Sequence, residues 1–259
     1  MKNQIIDELL ILENNMNIKI LYAVESGSRA WGFSSTNSDW DVRFIYTHNL
    51  DWHLSLDNRK NSFEKIIEND IDLSGWELKK TLGLFRKSNP SLMEWLNSTD
   101  IYIEKYSAIK VMRDIFNEYF NPKVIMYHYL HQCLGIYKDY LTKERVILKK
   151  YFYALRSIIS CLWIKEYSTI PPIKFIELLN SGIVHSDIIK IIMPLLEQKQ
   201  LGLELGKEIQ SKELNIFIKN NMDLLYNYLD TYNFKLTPDT SKLELILKDT
   251  IKEVYGSDF

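Results

Sequence analysis

Two apolar runs, each with polar groups at one end, are the sequence feature that most constrains the fold of this chain. The first run, residues 18–24, leads into a Gly-Ser pair, and the second, residues 42–46, is preceded by Asp39 and Asp41. A nearly continuous apolar run of this length is typical of a central strand, and successive side chains of a strand point to opposite faces. The pattern therefore predicts two strands, with Asp39 and Asp41 directed to the same face of the sheet.

The residue types at these ends suit phosphate chemistry. Two carboxylates at the start of a strand supply the oxygen ligands that hard divalent cations prefer. Gly27 and Ser28 follow the first run and form a turn whose backbone N–H groups can be presented to a phosphate. The acids also allow a plainer interpretation, as an edge-strand pair or an Asx turn. A phosphate-binding turn ten residues before a cation-binding pair favours phosphoryl or nucleotidyl transfer.

The same segment resembles a known superfamily. Gly27-Ser28, a ten-residue gap and Asp39-Trp40-Asp41-Val42 resemble the signature of the DNA polymerase β-like nucleotidyltransferases. A closer resemblance, to the YcgL-type, RNA-ligase-associated nucleotidyltransferases, is carried by residues 25–33, 38–46, 72–96 and 149–156. It implies an α/β fold, namely a minimal nucleotidyltransferase fold with a small mixed sheet followed by an all-helical domain.

The resemblance also implies a third carboxylate from a separate strand. Asp72 lies between Ile71 and Leu73, which is the expected arrangement of an acid between two apolar residues. In the superfamily this position helps to bind the catalytic metal and serves the attacking hydroxyl. Asp70, with the same strand parity, is the main alternative, and Glu64 is a weaker one. We therefore expect Asp39, Asp41 and Asp72 to be the catalytic and metal-binding residues.

Four residues near these acids are expected to bind the nucleotide's phosphates. Gly27 and Ser28 would contact the β- and γ-phosphates, because glycine permits close approach of the backbone. Arg29 and Arg43 would screen phosphate charge. Since Arg43 shares strand parity with Asp41, the sequence equally allows a salt bridge from Arg43 to the aspartates.

A later segment carries two cations and an aromatic ring at helical spacing. Lys149, Tyr153 and Arg156 lie at positions i, i+4 and i+7, so on a helix they share one face. Spacing alone favours a solvated charged face with Tyr153 in the core. The resemblance of this block favours nucleotide binding, with the cations on the triphosphate and the ring on the base.

The pattern along the chain predicts two domains. Residues 1–104 would form the catalytic domain, with strands at 18–24, 41–46, 63–68 and 71–73 and a stop at Ser74-Gly75. Residues 105–259 would form a helical domain that closes the nucleotide cleft. The helices expected there are 106–119, 122–142, 145–166, 172–180, 185–196, 198–210, 212–230 and 241–254.

Composition limits the partners and the compartment. The net charge is −2, so a nucleic-acid surface would have to be a local patch. Cys133 and Cys161 lie in apolar helical patterns, which indicates buried free thiols in a reducing compartment. A membrane-spanning helix requires about eighteen or more apolar residues in a row, and the sequence has no such run. We expect a cytoplasmic protein without a membrane partner.

These features predict an enzyme of the nucleotidyltransferase class. It would use Mg²⁺ or Mn²⁺ and an NTP, with ATP as the expected nucleotide, and transfer the nucleoside monophosphate to a hydroxyl. An RNA end is the first expectation for the acceptor, because the resembled family is associated with RNA ligases. A hydroxyl of a small partner protein, as in toxin-adenylylating enzymes, is the second. A catalytically silent nucleotide-binding module is the third.

Overall fold

The computed structural model describes residues 1–203 and 208–256 of the 259-residue chain. These residues form two compact units. Unit 1 comprises residues 1–30, 39–120 and the chain from Leu236, and unit 2 comprises the described residues of 31–38 and 121–235.

Unit 1 is built on a five-stranded mixed sheet. Its strands, in chain order, are β1 (Lys19–Glu25), β2 (Trp40–Thr47), β3 (Ser62–Ile67), β4 (Ile71–Glu77) and β5 (Ile101–Glu104). The spatial order is β3-β4-β2-β1-β5. Strands β2 and β4 run parallel, and every other neighbouring pair is antiparallel. The helices of this unit are α1 (Lys2–Asn15), α3 (Leu50–His53), α4 (Leu78–Arg86), α5 (Pro90–Leu96), α6 (Ala108–Asp114) and α12 (Thr240–Tyr255), and the one-turn helix α2 (Gly27–Trp31) begins in it.

Both faces of the sheet are covered. On one face, Ile5 and Leu9 of α1 are fully buried against a cluster that includes Val42 and Phe44 of β2. On the other face, Trp76 stacks on Trp95 of α5 at a centroid distance of 3.9 Å. Burial of large apolar side chains on both faces stabilises the sheet and leaves its ends to present polar groups.

Unit 2 is mainly helical. Its helices are α7 (Pro122–Ile136), continued by a π-helical turn (Tyr137–Leu141), α8 (Leu148–Tyr167), α9 (Phe175–Leu179), α10 (Ser186–Gln200) and α11 (Lys212–Thr231). Two short strands, β6 (Arg145–Val146) and β7 (Glu208–Ile209), pair antiparallel. Cys133 of α7 and Cys161 of α8 are buried free thiols, as predicted, and burial raises the pKa of Cys133 to about 12.

The α/β class with a small mixed sheet is confirmed, but several boundaries differ from the prediction. Strand β4 does not stop at Ser74-Gly75 but continues to Glu77. A Cβ at Gly75 would lie 2.3 Å from the Phe44 ring, so this glycine makes room for a neighbouring side chain and does not end the strand. Strand β5 was not predicted.

Two predicted helices were wrong in part. Residues 145–146 form a strand before α8 begins. The predicted helix 198–210 is wrong after Gln200, because α10 ends there and residues 208–209 form β7. Its residues 204–207 lie outside the described part of the chain. Short pairings of this kind depend on a partner strand and leave little local pattern.

The compact units also do not follow the boundary expected at residue 104. Helix α6 contributes buried Ile109 and Met112 to unit 1, and Arg113 donates from Nε to the backbone oxygen of Leu96 at 2.7 Å. Helix α12 belongs to the same unit, where Tyr255 donates to the backbone oxygen of Thr47. Within residues 1–203 and 208–256, no helix is long and apolar enough to cross a membrane.

Candidate active site

The Gly-Ser turn connects β1 to the short helix α2. Gly27 has a φ of +60°, which L-residues adopt only with strain. A Cβ at this position would lie 2.0 Å from Oδ2 of Asp41. The backbone N–H of Ser26 also donates to the backbone oxygen of Asp41 at 2.8 Å. The turn and the start of β2 are therefore packed together, and glycine is required because the Asp41 carboxylate lies against it.

Two of the three predicted acids lie side by side on the parallel strands. Asp41 and Asp72 are register partners in the β2–β4 pairing, so their side chains point to the same face. Arg43 lies between them: its Nη2 donates to Oδ1 of Asp41 at 2.7 Å and to Oδ2 of Asp72 at 2.8 Å. Its Nη1 donates to the backbone oxygen of Asp72. The salt bridge that the sequence left as an alternative for Arg43 is thus present.

Asp39 lies one residue before β2 and is exposed. Its backbone oxygen accepts a hydrogen bond from Nε of Arg29 at 3.0 Å, and the guanidinium of Arg29 lies 3.8 Å from the centre of the Trp40 ring. Among the described residues, no group of three or more His, Cys, Asp or Glu side chains is arranged to hold a metal ion. The structure therefore brings Asp41 and Asp72 together, and leaves Asp39, two residues before Asp41, outside a three-acid cluster among the described residues.

The two alternative acids are placed differently. Asp70 belongs to a 3₁₀ turn (Glu68–Asp70) before β4, is exposed and has a φ of 55°, so the strand parity assumed for it does not apply. Glu64 is exposed on β3 and pairs with Ser74, two residues along β4 from Asp72. Of the three acids considered for the third position, Asp72 is the one paired with Asp41.

A fourth acid, Glu25, was not recognised as part of the site. It is 4 % exposed at the end of β1, and its Oε1 accepts the backbone N–H of Asp41 at 3.1 Å. Its Oε2 accepts the hydroxyl of Tyr102 at 2.5 Å. Burial raises the pKa of Glu25 to about 7, the two hydrogen bonds oppose that rise, and the Asp41 charge adds to it. Its position at the end of a buried apolar run, next to the Gly-Ser turn, was the available signal.

The donor set at Asp41 and Asp72 suits a divalent cation. Both contributing atoms are carboxylate oxygens, which are the hard ligands that Mg²⁺ takes. The side chains are 26 % and 36 % exposed, and the two oxygens already converge on one positively charged nitrogen of Arg43. Both ion pairs are partly open to water, and solvent screening limits surface ion pairs to about 0–1 kcal/mol, so a divalent cation can displace the guanidinium.

The predicted nucleotide-binding residues of unit 2 share one face of α8. The Nζ of Lys149, which is exposed, lies 5.8 Å from the centre of the Tyr153 ring. The Tyr153 ring meets Trp31 edge-on at 5.2 Å. Arg156 is only 3 % exposed and stacks over the same Trp31 ring at 4.3 Å. Trp31 is the last residue of α2, the helix that begins at Gly27.

Comparisons with known proteins agree with the resemblance in the sequence. Residues 1–249 match the model of the RNA repair pathway DNA polymerase beta family. The uncharacterized protein YcgL of Bacillus subtilis (strain 168) is 41 % identical over 255 residues, which is 98 % of each chain. A crystal structure of a nucleotidyltransferase-like protein from Exiguobacterium sibiricum 255-15 aligns at 12 % identity with a TM-score of 0.25, covering 92 % of this chain and 75 % of that one. The predicted family is confirmed by the first two of these matches.

Proposed function

The chain belongs to the RNA repair pathway DNA polymerase beta family, and we propose that it transfers a nucleoside monophosphate from an NTP to a hydroxyl at an RNA end. Membership of this family supports nucleotidyl transfer as the general reaction. The observation that carries the proposal is the pairing of Asp41 with Asp72 beside the Gly27 turn. The RNA acceptor is inferred from the family's description.

Asp39, Asp41 and Asp72 would hold Mg²⁺ or Mn²⁺ in this proposal. When bound, the cation neutralises the negative charge of the triphosphate and orients it for in-line attack. The exposed position of Asp39 next to β2 allows it to join the two paired acids. Arg43 would leave the acids as the metal binds and turn its guanidinium to the phosphates, to which its geometry is well matched.

The chain's own groups then have distinct tasks. The Gly27 backbone and the Ser28 hydroxyl would hold the β- and γ-phosphates. The acceptor hydroxyl oxygen would attack the α-phosphorus, and the bond from that phosphorus to the bridging oxygen would break, which releases pyrophosphate. Asp72 would accept the hydroxyl's proton, because a positioned carboxylate can act as the general base. Arg29 would screen phosphate charge from its position over Trp40.

Lys149, Tyr153 and Arg156 would complete nucleotide binding. The shared face of Lys149 and Tyr153 on α8, with the ammonium 5.8 Å from the centre of the ring, supports this part of the proposal. The loss of one charge-assisted hydrogen bond to phosphate should weaken NTP binding by about ten- to a hundredfold. Calorimetric titration of NTP into the Lys149→Ala protein in Mg²⁺ tests this, and an affinity within about twofold of wild type would contradict it.

The reaction is tested with α-labelled ATP, CTP, GTP and UTP in Mg²⁺, each incubated with an RNA oligonucleotide bearing a free 3′-hydroxyl. The expected result is a labelled RNA longer by one or more nucleotides, which is lost in Asp41→Asn and when the 3′-hydroxyl is blocked. Asp70→Asn is the matched control, because it removes a nearby exposed acid. Label on a protein with none on RNA would contradict the RNA acceptor, and the absence of both would contradict nucleotidyl transfer.

A further inference from the structure

The opposite end of the same parallel strand pair carries a polar cavity. Strands β2 and β4 run from Asp41 and Asp72 to Thr47 and Glu77. The cavity beyond their carboxyl ends has a volume of about 320 Å³, which is at the lower end of the range for small-molecule sites. With a rise of about 3.3 Å per residue, it lies roughly 15–20 Å from the paired acids. It is therefore a separate site.

Two buried side chains in its wall have unsatisfied polar atoms. His53 has a side chain that is only 7 % exposed. Its ring lies near the backbone of His48, but neither ring nitrogen makes a hydrogen bond of standard geometry to a described residue. Its Nε2 lies 3.6 Å from Oε1 of Glu77, which also has no such partner among them. Because buried polar groups are nearly always hydrogen-bonded, an imidazole in this state at a cavity wall points to a ligand-binding role.

Cations exceed acids around this cavity. Arg59, Lys79 and Lys80 line it, together with the acids Asp57 and Glu77. Glu77 is fully buried, and burial raises its pKa to about 7. Its Oε2 is occupied by the backbone N–H of Lys79 at 2.7 Å. The cavity consequently favours an anion, and its three cationic side chains suit a group with several acceptor oxygens.

An aromatic ring completes the lining. Trp52 is one of the cavity residues, and His48 stacks on it at a centroid distance of 4.4 Å and an angle of 8°. Burial lowers the pKa of His48 to about 4, so its ring is neutral at physiological pH and packs as an aromatic surface. The indole is thereby held in place and offers an apolar wall for a base or a sugar.

We propose that this cavity binds a phosphomonoester, carried either by a free nucleotide or by the end of an RNA strand. Arg59, Lys79 and His53 would contact its oxygens, and Trp52 would pack on the attached nucleoside. The proposal does not rest on the reaction proposed above, because none of its residues belongs to the carboxylate site. Loss of nucleotidyl transfer would leave it standing.

The test is calorimetric titration of inorganic phosphate, AMP and adenosine into the full chain in EDTA, which suppresses metal-dependent binding at the carboxylates. AMP should bind, and adenosine should bind at least about tenfold more weakly. Arg59→Ala and Lys79→Ala should each weaken AMP binding by about ten- to a hundredfold. Both side chains are exposed, so their removal preserves the fold. Lys60→Ala, which removes an exposed cation outside the lining, should stay within about twofold of wild type.

A second titration identifies the source of the phosphate. RNA oligonucleotides with a terminal phosphate and with a terminal hydroxyl are compared in the same buffer. Tighter binding of the phosphorylated strand than of both AMP and the hydroxyl-ended strand would assign the cavity to RNA ends, and tighter binding of AMP than of the phosphorylated strand would assign it to a free nucleotide. The proposal is overturned if no phosphate-bearing probe binds, or if AMP and RNA bind equally well to wild type, Arg59→Ala and Lys79→Ala.

Discussion

Strand β4 carries an acid near each end, and the two acids have opposite environments. Asp72 and Glu77 are five residues apart and point to opposite faces. Asp72 is 36 % exposed and contacts the guanidinium of Arg43. Glu77 has no exposed surface and accepts the backbone N–H of Lys79 at the start of α4.

The difference shows that a carboxyl group can serve either binding or stability, depending on its burial and its partners. An exposed carboxylate whose partner is a side-chain cation can exchange that cation for another at little cost. A buried carboxylate bound to backbone N–H groups is fixed, because leaving those groups unsatisfied costs free energy. Substitutions at Asp72 should therefore affect the reaction, and substitutions at Glu77 should affect stability.

The largest effect expected is on the rate of nucleotide transfer. Asp72→Asn or Asp41→Asn should reduce it at least about a thousandfold, which corresponds to about 4 kcal/mol in the barrier. Thermal unfolding should change little, because the paired acids repel each other and Arg43 offsets that repulsion. The rate of labelled-RNA formation and the melting temperature measure the two effects. Wild-type activity in Asp72→Asn, or a comparable loss in Asp70→Asn, would contradict the assignment.

Glu77→Ala should give the largest change in stability. It removes the acceptor for the first N–H groups of α4 and leaves a cavity, and together these should lower the free energy of unfolding by about 2–3 kcal/mol. Urea denaturation measures this loss. Glu77→Gln retains an acceptor oxygen and should be much less destabilised at pH 5. An unchanged midpoint in Glu77→Ala would show that the carboxylate is not structural.

The dependence of stability on pH sharpens the same comparison. In the folded protein the pKa of Glu77 is raised to about 7 by burial, whereas in the unfolded chain it is about 4.3. As pH rises, the Glu77 side chain therefore loses its proton in the unfolded chain before it does so in the folded protein. The stability that the protonated side chain contributes is lost as pH rises from about 4.3 to about 7.

Glu77→Gln remains neutral throughout and should not share that loss. Its stability relative to wild type should therefore increase by on the order of 1–3 kcal/mol between pH 5 and pH 8. Urea denaturation of both proteins at the two pH values gives this difference, in which the similar contribution of Glu25 cancels. A constant difference would mean that Glu77 is ionised in the folded protein at both values.

The smallest effect concerns the cation at the exposed acids. Arg43→Gln removes the guanidinium that occupies the space between Asp41 and Asp72. If a metal ion competes with it, Mg²⁺ without nucleotide should bind the variant about two- to fivefold more tightly, since the half-exposed ion pairs contribute at most about 1 kcal/mol. Titration of MgCl₂ followed by thermal unfolding measures this change. Weaker Mg²⁺ binding would identify Arg43 as a support for the site and not as a competitor.

The sequence pattern predicted those features of the fold that are determined by residues close together in the chain. Strands β1 and β2 follow from their apolar runs. The start of α5 is equally local, since the Asn89 side chain accepts the N–H of Leu92 and Pro90 occupies the first helical position. The placement of Asp72 beside Asp41 required the family resemblance, because the parallel pairing joins residues that are distant in sequence.

The remainder depended on tertiary contacts. Gly75 was interpreted as a strand end, although it accommodates the ring of Phe44. Glu25 and Glu77 are acids at the ends of strands, and only the fold determines that both are buried. The cavity at His53 is formed by residues from two separate segments, 52–61 and 77–80, so no local pattern could reveal it.

Titration of ATP in Mg²⁺ and in EDTA, into wild type and Asp72→Asn, tests the central claim most directly. The claim is that the partly exposed pair of Asp41 and Asp72 is a metal-dependent nucleotide site. Wild type should bind ATP at least about tenfold more tightly in Mg²⁺ than in EDTA, and Asp72→Asn should lose that difference while retaining its melting temperature. Equal affinities in Mg²⁺ and EDTA for wild type, or an undiminished difference in Asp72→Asn, would contradict the claim.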